Sequence, residues 1–305
     1  MPKVSVIIPT YNRAHLVNRA IRSVLGQTYQ DFEIIVVDDC STDNTKEVVK
    51  SINDRRICFI CHEKNRGSAA ARNTGIKASK GEYIAFQDSD DEWLPEKLEK
   101  HMEIFEKAPD HVGVVYSGFY LRNGEQKKYV PGSNIKIKEG NIYEELLKRN
   151  SVGTPAAVVR QTCFEKVGMF DECLPSLEDW ELFIRISKYY TFKFIDEPLI
   201  NAYYSPGGVS ANKIAPLNAY KLILEKHIYT LKKNRHSLAN MQYSVGNLLC
   251  QAGNMCEGKV YLLQALRSNP LNIKYMVAAA TSLFGKSAYL SVCRLKNMVY
   301  SADNA

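Results

Sequence analysis

Short apolar runs, each ending in polar or turn residues, punctuate the first third of the chain: Val4-Ser5-Val6-Ile7-Ile8, Glu33–Val37, Arg56–Ile60 and Tyr83–Phe86. Continuous runs of this kind are expected of strands buried on both faces of a parallel sheet. Helical spacing fills the gaps: a stretch reaching about Leu25, another after the turn Ser41-Thr42-Asp43-Asn44, and a third over Ala69–Ala78. Strand and helix in alternation predict an α/β fold with right-handed crossovers. After Pro95 the order changes. A helix runs to about Lys107, Val112–Tyr116 reads as a further strand, Asn123-Gly124 marks a hairpin, and Ala156–Val159 is a short strand. From Glu178 onward Leu182, Phe183 and Ile186 fall at helical spacing and point to a core. Beyond Pro216 the pattern is helical throughout, with breaks near Asn234, Gly253, Asn269-Pro270 and Gly285.

The carboxyl ends of three strands carry the chemistry. The first delivers Thr10 and Tyr11, the second Asp38 and Asp39, and the fourth runs into Asp88-Ser89-Asp90-Asp91. Open sheets bind ligands beyond such ends. Carboxylates this crowded repel one another, and a hard divalent cation removes that penalty. Mg²⁺ or Mn²⁺ needs only one or two protein carboxylates plus substrate phosphates. An aromatic ring that stacks on a base, a carboxylate for an imide N–H or ribose, and metal-binding acids together suit a nucleotide diphosphate. Neither G-x-G-x-x-G after the first strand nor G-x-x-x-x-G-K-[ST] occurs, which excludes dinucleotide-binding and P-loop readings. An acid at the start of a helix, as at Glu178-Asp179, is favoured by the macrodipole alone. It also suits a general base that takes the proton of an attacking hydroxyl.

Val4–Arg13, Val36–Asp43, Asn65-Arg66-Gly67 with Ala71-Arg72-Asn73, and Asp88–Asp91 together resemble glycosyltransferase family 2, over roughly residues 1 to 205. The resemblance implies a GT-A-type, Rossmann-like mixed sheet flanked by helices. It implies an inverting hexosyltransferase that uses a nucleotide-diphosphate sugar, here a UDP-sugar, with Mn²⁺ or Mg²⁺. By it Tyr11 and Asp39 hold the base, Pro9, Thr10, Arg13, Gly67 and Arg72 lie around the nucleotide, and Asp90 holds ribose. Asp91 binds the metal through the diphosphate, with Asp90 and Asp88 sharing the acidic roles. Glu178-Asp179-Trp180 is similar to the family's Glu-Asp motif, which makes Asp179 the base, Glu178 its support and Trp180 a candidate platform for a sugar face. Gln-x-x-Arg-Trp, carried by processive members, is absent, so one sugar per encounter is expected. Some GT-A enzymes place a histidine after the base as a further metal ligand. Tyr203-Tyr204-Ser205-Pro206-Gly207-Gly208 has none, which leaves the metal to Asp91 and the diphosphate.

Composition sharpens this picture. At 305 residues and 45% hydrophobic content, the chain can bury a large core and is long enough for more than one domain. The division expected is a catalytic domain over 1–210, with a nucleotide-sugar half to 94 and an acceptor half over 95–210, followed by an all-α extension over 211–305. The extension has twelve Lys or Arg against three acids, a balance of +9, so residues 1–210 carry −2 of the chain's +7. A basic helical tail suits peripheral contact with an anionic membrane, and nothing points to nucleic acid. Ala252–Leu266 with Asn269-Pro270 is similar to one helix-turn-helix of a tetratricopeptide-like array, too little for a free-standing solenoid. The N-terminus enters a strand with no signal peptide, and no apolar run spans a bilayer. Eight scattered cysteines indicate reduced thiols, with Cys58-x-x-Cys61 read as strand packing rather than a zinc site. These readings place the protein in the cytoplasm, at the inner face of the membrane, acting on a carbohydrate or lipid-linked acceptor of surface polysaccharide or glycolipid synthesis. The competing reading is a non-catalytic nucleotide-sugar-binding scaffold whose helical tail is the working part.

Overall fold

The computed structural model describes residues 1–132, 135–204 and 215–302. Two compact units divide the chain, Met1–Ala211 and Asn212–Ala305.

The first unit is built on one mixed sheet, as the sequence pattern predicts. Strands β1 (Val4–Thr10), β2 (Phe32–Asp38), β3 (Ile57–Cys61) and β4 (Tyr83–Phe86) are parallel, in the order β3-β2-β1-β4. The sheet continues through β8 (Ala157–Arg160), β6 (Val112–Asn123), β9 (Thr191–Tyr203) and β5 (Glu92–Trp93), while β7 (Gln126–Val130) forms the hairpin with β6. β8 runs antiparallel to both β4 and β6, and β9 is parallel to β6. The ends of β1, β2, β4 and β9 therefore open on one rim.

Side-chain alternation sorts the core into two layers. Val4, Val6 and Ile8 face the helices α1 (Val17–Leu25), α2 (Thr45–Lys50) and α4 (Lys97–Lys107). Ile7, with Ile35 and Val37 of the neighbouring strand, faces α3 (Ser68–Ala78). Gly75 is what allows α3 so close, because a Cβ there would sit 2.4 Å from Ile7 Cγ2. On the same side Phe86 meets Phe164 of α6 (Gln161–Val167) and Phe170, and Phe183 of α7 (Glu178–Ile186) meets Phe192. The short α5 (Tyr143–Leu146) packs on α7.

Three features depart from the sequence pattern. β9 is thirteen residues long and β5 two residues, and neither stood out as an apolar run. Trp180 is 1% exposed and donates its Nε1–H to the carbonyl of Leu146 at 2.6 Å, so it is a core residue and no sugar platform. Cys58 and Cys61 are exposed on the edge strand β3 rather than packed, and all eight cysteines are free thiols.

The second unit holds α8 (Ala215–Lys226), α9 (Ile228–Lys233), α10 (Arg235–Ala252), α11 (Met255–Ser268), α12 (Ile273–Ser282) and α13 (Gly285–Ala302). The Oδ1 atoms of Asn234, Asn254 and Asn272 accept from the backbone N–H of Ser237, Glu257 and Tyr275, which caps α10, α11 and α12. Small clusters around Cys250, Leu262 and Tyr289, and around Ala239, Ala265 and Tyr275, form its interior.

Candidate active site

Each rim strand ends in a loop held by its own polar residues. Asn12, after β1, has φ +51°; its backbone N–H donates to Ser41 Oγ at 2.8 Å, and its Oδ1 accepts from the Thr42 backbone at 2.8 Å. Cys40, after β2, has φ +66°. Leu177, the residue before α7, has φ +58°. Among the described residues these are the only non-glycine positions in the left-handed region. All three lie in loops that meet the rim, and strained backbone of this kind gathers at functional sites.

Asp39 organises the approach to α3. Its carboxylate accepts from the backbone N–H of Arg66 at 2.9 Å and of Gly67 at 2.7 Å, and pairs with His62 Nδ1 at 2.7 Å. The other ring nitrogen of His62 lies 2.9 Å from Thr74 Oγ1. Gly67 stands at φ +89°, a conformation other residues rarely adopt, which turns its N–H onto Asp39. Above this floor Tyr11 is 45% exposed, free to meet a planar ligand, whereas Thr10 is buried with no hydrogen-bond partner for its hydroxyl.

Arg72 joins acids from distant parts of the chain. One guanidinium nitrogen contacts Glu178 Oε1 at 2.7 Å and another contacts Asp88 Oδ1 at 2.7 Å. Burial alone would lower its pKa, but Asp88 and Glu178 outweigh it and hold the group charged. Ser68 Oγ donates to the same Glu178 oxygen at 2.9 Å. Glu178 is thus turned toward α3.

Asp91 and Asp90 follow β4. Asp91 is 5% exposed and accepts from the backbone N–H of Tyr203, at the end of β9, at 3.0 Å. Burial, then Asp88 and Asp90, push its carboxyl well above the ordinary range. Asp90 is raised for similar reasons, burial first and Asp88 second, with Arg13 opposing at 3.9 Å. Arg19, stacked 4.1 Å from the Tyr203 ring centre, donates to the Asp90 carbonyl. Buried acids crowded in this way, their carboxyls pushed up, fit a hard divalent cation, which would favour their ionised forms. Among the described residues no three His, Cys, Asp or Glu side chains converge on a cage, so such an ion would take further ligands from phosphate or water.

Asp179 is the second residue of α7, half-buried. Its Oδ1 accepts from the Trp180 backbone at 2.7 Å and from Asn150 Nδ2 at 3.3 Å. Burial, then Glu178, push its carboxyl up to about 6, with Arg72 pulling the other way. The structure therefore places Asp88, Glu178 and Arg72 in one network, with Asp179 beside it and Asp90 and Asp91 after Asp88. Asp39 and Gly67 lie in a second, adjoining network. His62, Ser68, Asn150 and Arg19 belong to these networks and carry no motif in the sequence; His62 stands just past the end of β3, beside the β2 end that carries Asp39. Ser205–Gly208, where the sequence offers no histidine as a further ligand, lies outside the described residues.

A family model described as "Glycosyl transferase family 2" matches residues 5–168. The chain belongs to glycosyl transferase family 2. An Escherichia coli UDP-Glc:alpha-D-GlcNAc-diphosphoundecaprenol beta-1,3-glucosyltransferase, WfgD, is 34% identical over 218 residues, 70% of this chain and 82% of that protein. The chain also matches three Rickettsia glycosyltransferases, of whose length it spans 26% to 34%. The fold is that of GT-A glycosyltransferases. Staphylococcus aureus TarS 1-349, in complex with UDP-GlcNAc, has a TM-score of 0.70 at 21% identity, covering 94% of this chain and 89% of that one. The Pyrobaculum calidifontis mannosyltransferase PcManGT, in complex with GDP-Man and Mn²⁺, has 0.61 at 20% identity, covering 97% and 87%.

Proposed function

We propose that the protein is a metal-dependent, inverting, non-processive glycosyltransferase that moves one sugar from a UDP-sugar to a hydroxyl of a lipid-linked acceptor. The catalytic part is residues 1–210. The observation that carries the reading is the pairing of two acid sites in one catalytic unit: Asp90 and Asp91 at the end of β4, and Asp179 raised to about 6 at the start of α7. UDP is favoured over other bases by the similarity to WfgD, whose name gives UDP-Glc and a diphosphoundecaprenol-linked acceptor. Eight free thiols accord with a cytoplasmic location.

In this mechanism Tyr11 stacks on the base, and Asp39 accepts from it while holding the Arg66-Gly67 backbone. Asp90 meets ribose. Asp91 would hold a Mn²⁺ or Mg²⁺ ion, and such an ion would supply positive charge against the diphosphate. Asp179 removes the proton from the acceptor hydroxyl; that oxygen bonds to sugar C1 from the side opposite the departing UDP, and the C1–O–phosphate bond breaks, so configuration inverts. A base of pKa about 6 stays ionised at neutral pH and is stronger than an ordinary carboxylate. Arg72 keeps Glu178 charge-balanced beside it.

Calorimetry with UDP tests the metal. In the wild type UDP affinity should fall at least about tenfold when EDTA replaces Mn²⁺. Asp91→Asn should be weak in both. Equal affinity with Mn²⁺ and EDTA in both proteins would remove Asp91 and the ion from the donor site.

A further inference from the structure

We propose that the outward face of α12, with the loops at its two ends, docks on an anionic lipid bilayer. α12 buries Tyr275, Ala278, Ala279 and Ser282 inside its own unit. The opposite face is expected to be polar in a helix that meets water. Instead it presents Ile273, Met276, Val277 and Ala280, spaced i, i+3, i+4 and i+7, so that both faces are apolar. The flanking turns project further apolar side chains: Leu271 is 89% exposed, Leu283 63% and Phe284 78%. Exposed apolar residues scattered singly are ordinary, but a run gathered on one helix and both its ends marks an interaction surface.

Charge chooses the partner. From Gly258 to Ala302 the sequence has no Asp or Glu, and it carries Lys259, Arg267, Lys274, Lys286, Arg294 and Lys296. An apolar face in a stretch of chain that carries lysine and arginine but no acid suits the plane of an anionic interface: rings and aliphatic chains enter the acyl boundary and the basic heads reach phosphates. A second copy of the chain fits less well, since two such faces would bring Arg267, Lys274 and Lys286 of both copies together with no acid between them. The helix has ten residues and lies on the surface rather than across it; among the described residues no helix is long and apolar enough to cross a membrane. The proposal leans on the lipid-linked acceptor of the proposed function only for its purpose. Its test contains no UDP-sugar, so either reading can fail alone.

The full chain is sedimented with phosphatidylcholine vesicles, with and without phosphatidylglycerol, at low and high salt. The wild type should bind the anionic vesicles and keep part of that binding at high salt. Met276→Glu with Val277→Glu, both at exposed positions, should reduce binding at least about tenfold, with an unchanged thermal melt by circular dichroism. Phe284→Trp should gain a blue-shifted emission on anionic vesicles, the sign of a ring leaving water. Equal binding by wild type and double variant overturns the proposal. So does loss of all binding at high salt with no emission shift, which leaves a purely electrostatic attraction. A wild-type dimer in light scattering that the double variant dissociates assigns the face to a second copy instead.

Discussion

Asp179 is tuned by its neighbours: burial and Glu178 raise its carboxyl to about 6, while Arg72 and the Trp180 backbone N–H restrain the rise. The residue is plain in the sequence but this balance is not, because Arg72 and Glu178 lie 106 positions apart and meet only where the side chains of α3 reach the start of α7. Strand ends point to Asp39, Asp90 and Asp91 in the sequence, whereas Arg72 and Asp179 stand out there by the resemblance to the family's motifs. Their partners do not stand out, because His62, Ser68 and Asn150 occupy no motif and reach the site by tertiary contact alone. Two outcomes follow for Asp179 as a base. Only the ionised form accepts a proton, so kcat should be level at neutral pH and fall as pH drops through about 6. Asp179→Asn should lower kcat by roughly 10²- to 10⁴-fold and leave calorimetric UDP affinity near wild type. A variant with near-normal kcat would reduce Asp179 to a helix-start acid, and one with impaired UDP binding would move it into the donor site.

At the scale of elements, β1, β2 and β4 were readable because strands buried on both faces have uninterrupted apolar sequences. β9 was hidden by Asp196-Glu197-Pro198 in its middle, where its register against β6 shifts, and β5 is too short to have a pattern. α4 followed the helical pattern, yet nothing in its spacing signals what it buries. Lys97 is fully buried with no hydrogen-bond partner, its Nζ 3.8 Å from the centre of the Trp93 ring, and burial drives its pKa well below the lysine range. Leaving a polar group unsatisfied costs roughly 1–3 kcal/mol, more than one ring contact of this kind usually returns. Lys97→Met, similar in length, should therefore be more stable than wild type at neutral pH in urea denaturation. The sign with pH is definite. Between the depressed folded value and the ordinary value of about 10.4 the unfolded chain binds more protons, so wild-type stability rises with pH through that window. The advantage of Lys97→Met should shrink toward about pH 10. A variant less stable than wild type at neutral pH would mean that the ammonium–indole contact outweighs the burial.

At the scale of the whole molecule, chemistry and charge are divided. Residues 1–210 hold every candidate site residue named above at a net −2, while the extension holds +9. The family model ends at residue 168, well short of the extension, so family likeness carries no information about what the helices do. Their helical character was legible from spacing, but the outward aim of Ile273, Met276 and Val277 was not: an apolar stripe reads as core until the structure shows which stripe is covered. If that face meets a bilayer, its benefit to catalysis is one of concentration. Holding enzyme and acceptor on one surface turns their encounter into a local search and raises the effective acceptor concentration, with no new contact at the reacting atoms. The expected signature is a divided one. Met276→Glu with Val277→Glu should leave UDP affinity unchanged, and should leave transfer to a short water-soluble glycoside unchanged. Transfer to the same sugar linked to polyprenyl diphosphate in anionic vesicles should fall by about tenfold or more, through KM rather than kcat. Equal losses on both acceptors would point to a disturbed catalytic unit. No loss on either would detach the helical face from the enzyme's work, even where vesicles still bind it.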